Sequence, residues 1–296
     1  MNKNLKQILN QAIDIHVHVG DRSYDDGGLK RQYTVSDLNK ATKSFLVAKA
    51  HFLPFVKEEN KVLGSVTLNF GMKAEQVLEA SKHVSHRLTV WMPTLNAKAH
   101  QEAVKNDPFW KKLFAGLKLG EPISVLNELR ELSQETLKVL ETIKKLDAIL
   151  ATGHLSQQEV KILVKEAIQS RISDIVLTHV SSRHNKLSID QQQKLIALGK
   201  KKQTRVWSEH CAITWIDGKE GAYDIKRDFV ELIKKIGPKH CIISSDTGRY
   251  IGDAKKPSLP NECLELFCQL LLNNGISLED LSMMLIQNPK TLFKLT

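Results

Sequence analysis

Two histidines stand two residues apart in "AIDIHVHVG", residues 12–20, at the end of a short apolar run. Imidazole is the commonest protein ligand for divalent transition metals, and alternate residues of an extended strand project from one face. His16 and His18 are therefore candidate metal ligands, with Asp14 on the same predicted face and Ile15 and Val17 turned outward. His51, His154, His179 and His210 end other apolar runs, and Asp246 ends the last, in "SSDTG". A lone strand histidine is ordinarily a hydrogen-bonded core residue. Several strand ends bringing imidazoles and a carboxylate to one place would instead bind a divalent cation and activate water. Lys49 shares a predicted face with His51 in "VAKAHF". It suits either an unusual second-metal ligand or an electrostatic clamp on a substrate carboxylate or phosphate. Glu209 and His210 are adjacent, so strand alternation turns only one of them inward and leaves open which.

The elements that must carry these residues are legible as eight short apolar segments: "AIDIHVHV", "SFLVAKAHF", "VLGSVTLN", "LTVWMPT", "AILATGH", "DIVLTHV", "RVWSEHC" and "CIISSDTG". Amphipathic stretches lie between them at 73–86, 134–146, 156–170, 189–202 and 225–236. In "LSQQEVKILVKEAIQS", Ser156 and Glu159 have capping-box spacing, and Val160, Leu163, Val164 and Ala167 form an apolar stripe. Strand–helix alternation with apolar strands predicts a parallel sheet covered by helices. Eight such units in 296 residues predict an α/β chain closed as a (β/α)8 TIM barrel. Helical additions are expected at both termini, and the interval between the fourth and fifth strands, roughly 95–147, is enlarged around "FAGLKLGEPISV".

No linker, repeat or low-complexity segment divides the chain, so residues 1–296 are read as one domain. A doubly wound open sheet is the alternative, but no glycine-rich nucleotide loop supports it. In a barrel all strand carboxyl ends meet on one rim, where barrel enzymes place their chemistry. His83, His86, His100 and His184 fall on helices or loops and read as structural or solvent-facing. His240 opens the eighth strand, about 20 Å from the rim at the usual strand rise.

Hydrophobic residues make up 42% of the chain, enough for a sizeable core. The four cysteines form no C-x-x-C pair, the first residues lack a signal-type apolar region, and no stretch approaches the roughly 20 apolar residues of a membrane span. A reduced, cytoplasmic setting without a membrane partner is expected. The formal charge is +10, but the lysines are spread along predicted helices, and "GKKKQ" has no aromatic residues interleaved with it. Solvated lysine faces explain this better than nucleic-acid binding, so no nucleic-acid partner is expected. The charge is compatible with an anionic small-molecule substrate, and a homo-oligomer stays open.

The set as ordered resembles the amidohydrolase superfamily of metal-dependent barrel hydrolases. H-x-H ends the first strand, histidines follow the fifth and sixth, aspartate ends the eighth, and "NPKTLF" opens a C-terminal helix. "HVHVG", "KAHF", "WMPT", "ATGHLS" and "THV" in this order are similar to an uncharacterised amidohydrolase-related family. The resemblance implies His16, His18, His154 and His179 as metal ligands or near-ligands, with Asp246 as general base and ligand. Whichever of His154 and His179 stays off the metal would polarise the scissile carbonyl. Asp14, one layer below His16, would orient a ligand or satisfy buried backbone.

One departure matters. The superfamily's two-metal members carry a bridging lysine or glutamate on the fourth strand, and "LTVWMPT" offers neither. One ion is therefore favoured over two, with zinc ahead of manganese or iron, held by His16, His18, Asp246 and one of His154 and His179. Lys49, His51 or, less readily, Lys118 would have to serve any second site. The implied reaction is hydrolysis of an amide or lactam C–N bond, or of an ester. A single-metal decarboxylase and a catalytically silent barrel that binds metal or ligand are the alternatives. The superfamily's phosphoesterase ending, Asp-x-His, is absent from Asp246-Thr247-Gly248. "DRSYDDGG" (21–28) is read as a surface or lid loop and Arg249 as a reader of anionic groups or a surface residue.

Overall fold

Among the described residues nine strand segments occupy the eight expected positions, because Gly64 splits the third. The structure is a computed structural model that describes residues 3–20, 31–115, 120–182, 187–216, 223–248 and 259–296. The segments are β1 (Asp14–His18), β2 (Leu46–Lys49), β3 (Val62–Leu63), β4 (Ser65–Thr67), β5 (Thr89–Trp91), β6 (Ile149–Ala151), β7 (Asp174–Leu177), β8 (Arg205–Cys211) and β9 (Cys241–Ser244). All neighbouring pairs are parallel, in two ladders ordered β1-β2-β3 and β4 through β9. Past the last strand the chain returns to the first. Val17 bridges Thr247, the His18 amide donates to the Thr247 carbonyl (2.7 Å), and the Asp246 amide donates to the His16 carbonyl (2.8 Å). The architecture is a (β/α)8 barrel whose strand carboxyl ends share one rim.

The helices arise where the sequence periodicity placed them. Gln157–Gln169 starts at the Ser156–Glu159 capping box and buries Val160, Leu163, Val164 and Ala167 against the staves. Thr34, Ser188 and Ser277 cap later or earlier helices in the same reciprocal manner. The terminal additions are Lys3–Gln11 and the run from Leu278 to Phe293. The enlarged interval holds two short helices, Lys98–Val104 and Pro108–Ala115, then an extended stretch pinned by Ala97–Ile123 and Leu126–Leu132 bridges.

The barrel interior is filled towards its amino-terminal end by Ile13, Ile15, Val47, Leu63, Trp91, Ile149, Val176, Trp207 and Ile242, with Leu292 and Phe293 as a plug. Below them Asp174, fully buried, accepts from Arg87 (2.6 Å), from Arg205 at both oxygens (2.7 Å each) and from the Trp207 indole (3.0 Å). Arg87 also holds the Leu292 carbonyl, which fixes the C-terminal plug. Among the described residues no helix is long and apolar enough to cross a membrane.

The structure corrects one feature of the first strand. Strict alternation turns Ile15 outward and groups Asp14 with the histidines, yet Ile15 packs inside the barrel. The cause is a bulge: Asp14 faces Leu46 while Val17 faces Ala48, three steps on β1 against two on β2. The extra residue lets Ile15 and His16 both turn inward. Asp14 is left beside Leu38, Phe45 and Leu46 under the helix layer.

Candidate metal centre

His16 is the hub of the rim. Its Nδ1 lies 3.0 Å from Glu209 Oε1, which also accepts from Ser244 Oγ (2.8 Å). A carboxylate partner makes Nδ1 the protonated nitrogen and leaves Nε2 as a lone pair. That lone pair faces Asp246 Oδ1 at 3.2 Å and Lys49 Nζ at 3.0 Å. His18 Nε2 reaches the same Asp246 oxygen at 2.9 Å. The second aspartate oxygen, Oδ2, lies 3.9 Å from His179 Nδ1.

The donor set fits a divalent ion. Adjacent ligand atoms around an ion bound at about 2.1 Å lie about 3 Å apart. Asp246 Oδ1 has that spacing to both His16 Nε2 and His18 Nε2, and one ligand atom from each of the three residues lies within 4.8 Å of the others. His16 Nε2 and Asp246 Oδ1 approach to 3.2 Å, the separation of two ligands that share one ion. His16, His179 and Cys211 form a second compact grouping that overlaps the first at His16.

Electrostatics keeps the imidazoles neutral, as metal ligation requires. Burial pushes His16, His18, His51 and His154 well below the ordinary imidazole value, and nearby positive groups push the same way. His179 is lowered by burial to about 3. Burial raises the Asp246 carboxyl and lowers the Lys49 ammonium, and each is partly countered by the other's charge.

Positioning the loop-borne members takes unusual backbone. His179 and Asp246 both have φ of +55°, the left-handed region that non-glycine residues enter at a cost of about 1–2 kcal/mol. Two glycines make room for such approaches. A Cβ at Gly248 would clash with the His18 carbonyl oxygen, and one at Gly153 would lie 2.6 Å from the Pro93 carbonyl oxygen. His154, the next residue, then donates its amide to that same Pro93 carbonyl (3.0 Å). Asp14 reaches backbone, not imidazole: its Oδ1 accepts from the His16 amide (3.2 Å) and the Ser245 amide (3.0 Å). Because of the bulge it orients the chain on either side of the centre and touches no ligand ring.

Of the remaining sequence candidates, His51 stacks on His18 (4.5 Å between centroids) and its Nδ1 meets Thr94 Oγ1 at 2.8 Å. Asn69 donates to that same hydroxyl (2.8 Å). His154 lies 5.3 Å from the His179 ring and 6.3 Å from the His51 ring, beside the centre without joining the close group. On β8, Glu209 is the residue that faces the centre. His210 faces the other way, to Ser181 Oγ (3.0 Å) and the Phe229 ring. Lys118, Arg249 and the 21–28 loop lie outside the described residues.

Three residues at the site were not singled out from sequence. Cys211 continues the inward alternation of Trp207 and Glu209, and that period could have found it. His100 was read as structural or solvent-facing; it is buried on Lys98–Val104 and stacks on His154 at 4.7 Å, which no local pattern announces. Arg31 donates to the Gly248 carbonyl (3.3 Å), and its charge bears on His16, His18, Lys49 and Asp246.

A family model described as a family of unknown function (DUF6282) matches residues 11–201, and the chain belongs to that family. No curated protein matches by sequence. Solved structures resemble it along nearly its whole length. A Pseudomonas putida protein assigned as a 2-pyrone-4,6-dicarboxylic acid hydrolase superposes with a TM-score of 0.52 at 18% identity, covering 96% of this chain and 97% of its own. Dihydroorotase from Campylobacter jejuni gives 0.53 at 14%, covering 97% and 84%. An amidohydrolase from Pseudomonas aeruginosa gives 0.50 at 12%, covering 98% of both chains. At these identities the likeness establishes the shared barrel fold.

Proposed function

We propose that this DUF6282 member is a metal-dependent hydrolase of the amidohydrolase type, holding one divalent ion, zinc by preference, through His16, His18 and Asp246. The observation that carries the reading is the approach of Asp246 Oδ1 to His16 Nε2 at 3.2 Å and to His18 Nε2 at 2.9 Å on the rim of a barrel. The proposed bond is C–N, in an amide or lactam, as the dihydroorotase and amidohydrolase names of the fold relatives suggest.

A divalent ion bound there would lower the pKa of a coordinated water to about 7. The chain's own residues do the rest. Asp246 would hold the ion through Oδ1, and its Oδ2 is the base that takes the attacking water's proton and hands it to the leaving nitrogen. His179, neutral and 3.9 Å from Oδ2, and neighbouring His154 donate towards the substrate carbonyl. Arg31 places positive charge near the centre, which suits a substrate carrying a carboxylate.

The test is elemental analysis of protein purified without chelators, followed by a panel of amides, lactams and esters. The expected result is one bound ion per chain and turnover lost at least 100-fold in Asp246→Asn. Near-zero metal that added zinc or manganese does not restore would overturn the reading. Turnover unaffected by Asp246→Asn would remove the base from it.

A further inference from the structure

Lys49 is an anomaly inside the site just described. It is a fully buried lysine whose ammonium touches a metal-ligand candidate at the very atom that should bind the metal. Nζ lies 3.0 Å from His16 Nε2 and 4.0 Å from the centroid of the Trp91 ring. His16 Nε2 has one lone pair, since Glu209 holds the proton on Nδ1. That lone pair can accept from the ammonium or bind the ion, and it cannot do both.

A second observation says where the ammonium goes. Glu209 uses Oε1 twice, for His16 and Ser244, while Oε2 is buried with no hydrogen-bond partner among the described residues. An unpaired buried carboxylate oxygen is costly, and an ammonium is the donor best able to satisfy it. A lysine side chain turns about four single bonds, so Nζ can leave His16 and the Trp91 face for Glu209, whose charge already acts on it.

Resting on the proposed metal site, we propose that Lys49 is a two-position internal cation that competes with the metal for His16 Nε2. In metal-free protein its ammonium fills the cation position on that lone pair. In loaded protein it is displaced onto Glu209 Oε2. Lys49 is then a positioning residue that sets how tightly the centre holds its ion and keeps the His16 lone pair occupied when no ion is bound. This is a different role from the second-metal ligand or substrate clamp that its place in the sequence suggests.

The experiment is zinc titration into chelator-stripped wild type, Lys49→Met and Lys49→Gln, against a competing zinc-binding dye. Thermal melting by circular dichroism selects folded variants, and either neutral replacement suffices if the other fails to fold. The expected result is one zinc per chain throughout, bound at least tenfold more tightly in the variants. In metal-free protein the His16 Nε2 nitrogen resonance should also shift between wild type and variant, because it loses a direct donor. Weaker binding or less than one zinc in the variants would make Lys49 a ligand and overturn the proposal. Unchanged affinity, or no resonance shift, would equally overturn it. A wild type that binds no zinc, manganese or iron would instead overturn the metal site itself.

Discussion

Glu209 Oε1 lies 3.0 Å from His16 Nδ1, tying β8 to β1 across the interior of the barrel. The contact selects the His16 tautomer and so decides which nitrogen faces the centre. Glu209→Gln keeps the shape but loses the charge that holds the proton on Nδ1. Zinc affinity is expected to fall about 10- to 100-fold with the melting temperature nearly unchanged. Equilibrium zinc competition checks this, and wild-type affinity would show that Glu209 does not govern the tautomer.

Gly248 packs against the His18 carbonyl with φ of +92°, where any Cβ would clash. Gly248→Ala should therefore cost more than about 2 kcal/mol and separate the Asp246 loop from β1. Chemical denaturation and metal content should fall together. A variant with normal stability and one bound ion would show that the closure between β1 and β9 tolerates slack.

Asp174 marks the opposite, amino-terminal end of the barrel, where Arg87, Arg205 and Trp207 all donate to it. Asp174→Asn removes the charge shared by both guanidinium groups, but Arg87 keeps Asp147 and Arg205 is 44% exposed, so the cost should be about 1.5–3 kcal/mol. Zinc affinity in the surviving folded protein should stay within twofold of wild type. Loss of metal in a folded Asp174→Asn protein would mean that the two ends are not independent.

Metal-free protein should be acid-labile. His16, His18, His51, His154, His179 and His210 all have folded values lowered by burial, to about 4 for His210 and about 3 for His179. Below about pH 6.5 the unfolded chain protonates these groups and the folded chain does not, so stability falls as pH falls. Asp14, raised to about 7, and Asp246 act in the opposite sense, since the folded chain binds their protons more readily. Six imidazoles outweigh two carboxyls. Melting in chelator from pH 8 to pH 4.5 should show a steep loss beginning near 6.5, and a flat profile would contradict the buried neutral imidazoles.

Much of this was legible locally. The apolar runs placed all eight barrel positions, because a strand buried on both faces must be apolar whatever surrounds it. Helix starts such as Ser156 with Glu159 follow from capping chemistry within four residues. The inward turn of Glu209 obeys the period of two along β8, although only the fold revealed which parity faced the centre.

Other features depend on contacts between distant segments. The β1 bulge overrides alternation at Ile15 because pairing with β2 sets it, and β2 lies about thirty residues downstream. His100 reaches His154 from a helix in the enlarged interval, where no periodic signal distinguishes it from a surface histidine.

By itself, then, the sequence determined the barrel and the residue types gathered at its rim, since both follow from local burial pattern and chain order. Tertiary structure alone decided that His16 presents Nε2 to the centre, that Asp14 serves the backbone and that Lys49 lies against the metal-binding lone pair. Those outcomes depend on donor–acceptor geometry at about 3 Å between strands far apart in the chain, which no local pattern encodes.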